Sequence, residues 1–387
     1  MVVPSASDEE QASRPNLLDR LGIDWNAVPT TPIPESFDQG GALAASTQGS
    51  AEAKSGSDSA ETIEDEGGNV VVAPIPFVSP TIGYGLALGG AYLVKLDPKS
   101  PPSTIGVGAL YSENNSYGGG LFFKGFFAED RVRVTAGIVA TRLNFDLRVA
   151  DQDIALRENV LAFGFEVLIR SFERVFIGPQ LIVSGIDTDV VRSSDIGVIP
   201  DDELEAFNLG VGLRAQRDTR DSTFYPRTGS FADAQLRVFN ESLGSDFDYQ
   251  VLPAAYNHYL SPSSRDVVAL RVSTRLAFGD VPFYGQSFVG AGPDLRGYVV
   301  GTVQDDALAA VQGEYRRELY GRLGAVAFAG VGAVAPTLGD VFDAETLPSA
   351  GFGARFTLEE KNHVNLRIDV AWGRDQSAVY LAVGEAF

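Results

Sequence analysis

The sequence has no cysteine, one methionine, two tryptophans and two histidines. Without cysteine there is neither a disulfide framework nor a thiolate metal site, and the absence is compatible with an oxidising envelope compartment. His258 and His363 stand alone, and no G-x-S-x-G elbow or metal-spaced cluster occurs, so no enzyme activity, no cofactor and no metal are expected. Ser287, in Gly285-Gln286-Ser287-Phe288-Val289, lacks the second glycine of such an elbow. No apolar run approaches the ~20 residues that a membrane helix needs, and no helical amphipathic period occurs; this is not an α-helical membrane protein. Basic residues are also short. The 30 Lys and Arg against 51 Asp and Glu give a net charge of −21, the reverse of a nucleic-acid-binding footprint. No signal-peptide h-region follows Met1; a mature chain carrying an added Met is expected, which the strand pattern favours over a cytoplasmic protein.

What is abundant is glycine, with 42 residues, and aromatic side chains, with 24 Phe and 13 Tyr, a composition of glycine-kinked, aromatic-decorated strands. Residues 1–68 differ in character. They hold thirteen acidic and three basic residues, with Pro, Ser, Ala and Gly making up much of the rest. Such a segment buries too little apolar surface to offset chain entropy, so an acidic, largely disordered periplasmic tail is expected. Only Asn16 to Trp25 could form a short amphipathic helical turn.

From Asn69 onward the chain alternates apolar and polar residues. Strands are expected at 70–77, 82–96, 105–111, 117–127, 132–145, 160–169, 175–183, 207–215, 231–239, 249–259 and 267–278. After a long loop come 308–319, 323–335, 350–358, 364–372 and 379–387, about sixteen in all. Short links at 129–130, 172–174, 261–265 and 359–362 alternate with long ones at 150–157, 192–205, 281–306 and 337–346; the short link at 112–116 is the exception. That is the layout of a meander with one rim in the periplasm and the other outside the cell.

The polarity of the alternation separates a barrel from a sandwich. Val268, Leu270, Val272, Leu276 and Phe278 alternate with Ala269, Arg271, Ser273, Arg275 and Ala277, and Val364 to Trp372 repeats the pattern. A charge on the lipid face costs about 2–4 kcal/mol at mid-bilayer, so spanning strands keep charges on one parity. About sixteen such strands without helical crossovers suit a closed transmembrane antiparallel β-barrel, an all-β fold. In 132–145 the apolar parity shifts between Ile138 and Leu143, read as a bulge or as exit from the membrane. Phe387 ends the chain on a strand parity with Val379, Leu381 and Val383, interrupted by Glu385, and resembles the recognition signal read when outer-membrane barrels are assembled.

The stretch from Val281 to Tyr320 carries the strongest motif. Gly290, Gly292 and Leu295-Arg296-Gly297-Tyr298 resemble the loop-six motif of the surface-antigen superfamily of outer-membrane barrels, the group of BamA/TamA-like C-terminal barrels and two-partner secretion transporters. Asp218-Thr219-Arg220-Asp221 with Tyr225-Pro226 and Gly229, then Glu314-Tyr315-Arg316, Gly351 with Gly353, and Asp369-Val370-Ala371-Trp372 match further family positions. The resemblance covers about residues 69–387 and implies a sixteen-stranded barrel in the bacterial outer membrane, with an inward-folding extracellular loop six at about 281–305. Two departures stand out. The family's periplasmic polypeptide-transport-associated repeats have no counterpart in residues 1–68, and Gly330 stands where those barrels often carry an aspartate.

In the family the counterpart of Arg296 folds into the lumen and pairs with acids on the inner wall; Glu314 has the parity to be that partner. Polar parity also turns Arg214, Arg237, Arg271, Arg275, Arg316, Arg355 and Arg367 inward with Asp233, Glu314, Glu318 and Asp369, a basic lumen that would draw in the loop and the acidic tail as plugs. Expected partners are outer-membrane lipid and the barrel-assembly machinery during biogenesis, with no nucleic acid; a homodimer stays open and the client is unknown. Two function classes remain: protein or lipid translocation or insertion through a weak seam between first and last strands, next to Gly83, Gly85, Gly89 and Gly90, or a gated or plugged anion-preferring pore or structural barrel.

Overall fold

The computed structural model describes residues 61–65, 68–79, 81–149, 152–192, 199–290, 293–360 and 363–387. The tail expectation for residues 1–60 and the motif residue Gly292 lie outside the described residues. Sixteen antiparallel strands close one barrel. The first eight are β1 Gly68–Ser79, β2 Gly83–Val94, β3 Ser103–Ser112, β4 Tyr117–Phe127, β5 Val132–Val149, β6 Gln152–Phe172, β7 Val175–Arg192 and β8 Glu205–Asp218. The second eight are β9 Gly229–Phe239, β10 Tyr249–Ser263, β11 Asp266–Gly279, β12 Ala307–Tyr320, β13 Leu323–Ala335, β14 Leu347–Glu359, β15 Val364–Gly373 and β16 Gln376–Val383. Each pairs with its neighbours in chain order, as a meander requires.

The wall is two-faced because strand side chains alternate between lipid and lumen. On β11, Leu270, Val272 and Phe278 are exposed, while Ala269 and Ala277 are buried. On β12, Val311 and Tyr315 face out and Gln312, Glu314 and Arg316 are buried.

Two sequence expectations change. Of the link expected at 150–157, residues 152–157 are strand, not loop: β5 and β6 pair from Val132 opposite Ile169 to Val149 opposite Gln152. Nor does β5 carry a bulge, since its registers with β4 and β6 run unbroken. The apolar residues change faces instead. Ile138 is exposed on the outer face, whereas Leu147 packs inward with Ile154, Leu156 and Ile199, flanked by Phe145, Leu204, Phe283 and Phe288. The apolar parity thus moves to the side that loop six covers through Phe283 and Phe288.

The last strand is also shorter than expected. β16 ends at Val383, and Gly384 adopts φ +90°, a left-handed conformation that favours glycine and turns Glu385 to Phe387 off the strand. Between β1 and β16 a single position is paired among the described residues, Leu381 opposite Val78. In the last part of the stretch expected to stay unstructured, Glu61–Asp65 forms a strand, antiparallel to β1 from Glu61 opposite Val72 to Asp65 opposite Gly68. It pairs there because β16 does not reach that part of the β1 edge.

Candidate functional site

Loop six, between β11 and β12, folds into the barrel. It opens with a 3-10 turn at Phe283–Gly285, and a two-residue ladder pairs Ser287 with Asp305 and Phe288 with Gln304. Arg275 on β11 anchors this entry by donating from Nη1 to the carbonyls of Gly285 (2.9 Å) and Gln286 (2.5 Å). Tyr284 packs on the cluster of Phe247, Tyr249 and Phe239, and its hydroxyl donates to Asn208 Oδ1 at 3.4 Å. Burial pushes the Tyr284 phenol well above its usual range, so it stays protonated and remains a donor.

At the loop's tip Arg296 is buried. Its Nη2 donates to Glu314 Oε2 (2.5 Å), its Nη1 to Asp369 Oδ2 (2.9 Å) and its Nε to Gln312 Oε1 (3.3 Å). The guanidinium lies 3.4 Å from the centroid of the Phe328 ring. The planar fork is thus saturated on its edge by acceptors and on its face by an aromatic ring, an arrangement a lysine cannot reproduce.

The backbone around Arg296 requires small neighbours. Gly297 has φ +104°, and a Cβ there would stand 2.7 Å from Gly373 N and from the Trp372 carbonyl carbon. Its N–H donates to the Tyr380 hydroxyl at 2.9 Å. Ser349 Oγ donates to the Arg296 carbonyl, and the Tyr298 hydroxyl donates to Pro348 O at 2.7 Å. Leu295 is buried over Gly330, where a Cβ would meet Leu295 Cδ1 at 2.9 Å. This explains the departure at Gly330: Leu295 fills the space, and the second acid for Arg296 comes from Asp369 on β15.

Around Arg296 six charges close into a ring of alternating sign. Glu314 also accepts from Arg316 Nε (2.5 Å), Arg316 Nε stands 3.7 Å from Glu385 Oε2, Glu385 accepts from Arg355 Nε (2.8 Å), and Arg355 Nη1 donates to Asp369 (2.5 Å). Arg367 stands outside the ring, 3.5 Å from Asp369. Because Gly384 turns the chain inward, Phe387 also lies within the barrel: its carbonyl accepts from Arg316 Nη2 at 2.8 Å, and the Arg271 guanidinium stands 6.0 Å from its ring.

Sequence reasoning placed Arg296, Glu314, Arg316, Arg355 and Asp369 on the inner parity, and all five meet in the ring. Alternation also set Gln312 on the polar side but gave no sign that it would meet Arg296, and it missed Glu385, which it set on the strand as an interruption of parity. It also missed Glu166, which accepts from Arg214 at 3.2 Å opposite Asp233 at 2.7 Å. The lumen is therefore less one-sidedly basic than strand parity implied. Arg271 donates to Asn257 (2.8 Å), Arg237 to Gln235 (2.6 Å), and Glu318 pairs with Arg227 (2.7 Å) on the short-turn rim. His363 stacks on Tyr225 at 4.0 Å, and Ser287 Oγ sits 3.0 Å from Arg275 O, each occupied in packing the wall or the loop. Among the described residues no cluster suited to a metal ion occurs.

With this geometry in view, comparison with known proteins is specific. Residues 102–387 match the family model described as the Omp85 superfamily domain. BamA from Haemophilus ducreyi lacking POTRA domains 1-3 superposes with a TM-score of 0.60 at 13% identity, covering 84% of this chain and 75% of that one. CdiB from Escherichia coli gives 0.60 at 12% identity over 84% of this chain, and CdiB from Acinetobacter baumannii 0.52 at 10% over 81%. This chain spans 64% and 58% of those two CdiB chains. No curated protein matches. The chain belongs to the Omp85 superfamily, as a sixteen-stranded β-barrel of the bacterial outer membrane within a superfamily of translocation and insertion barrels.

Proposed function

We propose that this barrel works at its seam rather than through its bore, moving polypeptide or lipid sideways into the outer membrane while loop six keeps the lumen plugged. The observation that carries the reading is the contrast between neighbouring ladders: β1 pairs with β2 from Asn69 to Ser79 but with β16 at Val78 alone. Separating β1 from β16 breaks one rung. Arg296 on Glu314 and Asp369 is the latch of the plug, and the ring ties that latch to the seam, because Glu385 follows directly on β16. A movement of β16 away from β1 withdraws Glu385 from Arg355 and Arg316 and weakens the hold on loop six. Lipid surrounds the wall, and the barrel-assembly machinery is the partner during biogenesis.

A Val78→Cys/Leu381→Cys pair tests this, since directly opposed strand residues lie within disulfide range, at about 4.5–5.5 Å between Cα atoms. Reconstituted in liposomes and oxidised, the pair should lose client insertion and regain it on reduction, with conductance unchanged. Insertion that is equal in both states, with conductance altered by oxidation, would instead support a gated, anion-preferring pore.

A further inference from the structure

The thinness of the seam has a cause in the backbone of β1. In an antiparallel ladder each residue directs its N–H and C=O to one edge of the strand, and consecutive residues direct them to opposite edges. β1 pairs with β2 without interruption from Asn69 opposite Leu93 to Ser79 opposite Gly83. Pro74 and Pro76 have no N–H, so that ladder must run on the odd-numbered residues, and the even-numbered ones face the seam. Read along the seam edge, the residues are Gly68, Val70, Val72, Pro74, Pro76 and Val78.

From residue 74 to residue 79, Val78 alone among these can donate, and it is the one described residue paired with β16. Extending that register would set Pro76 opposite Val383, a rung left with only the Val383 N–H as donor. Past Val383 the chain leaves the wall at Gly384. The donors that remain, on Gly68, Val70 and Val72, lie opposite Asp65, Ile63 and Glu61.

We propose that prolines on the seam-facing parity keep β1 and β16 from zipping together, and that the chain's own strand Glu61–Asp65 acts as a strap closing the stretch of the β1 edge that still bears donors. Proline is a known means of blunting an exposed strand edge. Here it divides the edge into a weak rung, a blunt stretch and a strapped stretch. Any extended segment seeking that edge must displace Glu61–Asp65, because Pro74 and Pro76 offer it no donor. The strap stands whether or not a client passes through the seam.

Thr62 and Val71 are a directly opposed, non-hydrogen-bonded pair in the strap register, a position with Cα atoms about 4.5 Å apart, and the chain has no other thiol. In outer-membrane vesicles, oxidised Thr62→Cys/Val71→Cys should resist labelling by a polyethylene-glycol maleimide until reduced, whereas Thr62→Cys/Val78→Cys labels at both sites throughout. Equal labelling of the two variants removes the strap. For the prolines, Pro76→Val should let the ladder grow by a rung opposite Val383, in which the N–H gained at position 76 donates to the Val383 carbonyl and exchanges roughly tenfold more slowly than an unpaired amide, the worth of one added backbone hydrogen bond. Exchange of that new amide at the unpaired rate overturns the role given to the prolines.

Discussion

Glu314→Gln is the sharpest probe of the plug. Glu314 is 2% exposed and accepts from both Arg296 and Arg316. Removing one member of a buried ion pair costs about 3–5 kcal/mol when the other is left uncompensated. Here each arginine keeps a second acid, Arg296 on Asp369 at 2.9 Å and Arg316 on Glu385 at 3.7 Å, and glutamine retains one acceptor for one of them. The expected loss is therefore below that range, about 2–3 kcal/mol of loop docking. At about 1.4 kcal/mol per tenfold, the undocked population rises roughly 30- to 150-fold. With the barrel in liposomes, protease added outside should nick residues 281–305 faster by that factor when opening and closing outpace cleavage. Conductance events should become more frequent in parallel. Arg367→Gln, outside the ring, should stay within about threefold of the parent in both assays. If Glu314→Gln leaves nicking and conductance unchanged, Arg296 and Glu314 do not hold the loop.

Glu385→Gln should loosen the same loop less than Glu314→Gln does, because Arg296 keeps both of its own acids; an effect equal to or greater than that of Glu314→Gln, read by the same proteolysis, would contradict the ring as drawn. Gly297→Ala should lower the temperature at which the folded band is lost in semi-native electrophoresis, since it combines left-handed strain of about 1–2 kcal/mol with a clash against Gly373. Gly330→Asp should also lower it, because the new side chain displaces Leu295; unchanged stability would show that Leu295 does not fill that space. Arg275→Ala removes a charged donor from two loop carbonyls, worth about 1.5–3 kcal/mol, and should speed nicking near residues 283–287 without changing it near 296.

Much of the wall was legible in the sequence because its signals are local. Alternation on β11 and β12 separates Leu270 and Val311 from Arg271 and Gln312 without reference to any other strand, and the turn residues between strands repeat at intervals that count them. The motif at Leu295 to Tyr298 pointed to the plug in the same way. Where local reading failed, the environment of a face had changed along one strand. The residues from Leu143 on read as a shift in parity after Ile138, yet the strand continues in register and the apolar side is the one roofed by loop six. Glu385 read as a flaw in the last strand, yet a glycine three residues beyond Leu381 takes it off that strand.

The sequence by itself determined the number of strands, the lipid-facing and lumen-facing parity of each, and the placement of the loop between the eleventh and twelfth. These follow from a period of two and from where glycine and proline permit a turn. Its prolines at positions 74 and 76 also set which rungs of the first strand can donate. Parity and the family resemblance together proposed Glu314 for Arg296; only the tertiary structure added Asp369. Glu314 is 18 residues away, but Asp369 is 73, and that pairing exists because barrel closure brings the inner faces of β12, β14 and β15 around one small volume. The same closure sets Val78 against Leu381 across 303 residues of chain. Carboxylates and arginines spaced this far apart carry no mutual pattern in sequence; buried together under loop six, they must pair with one another because an unpaired buried charge is costly.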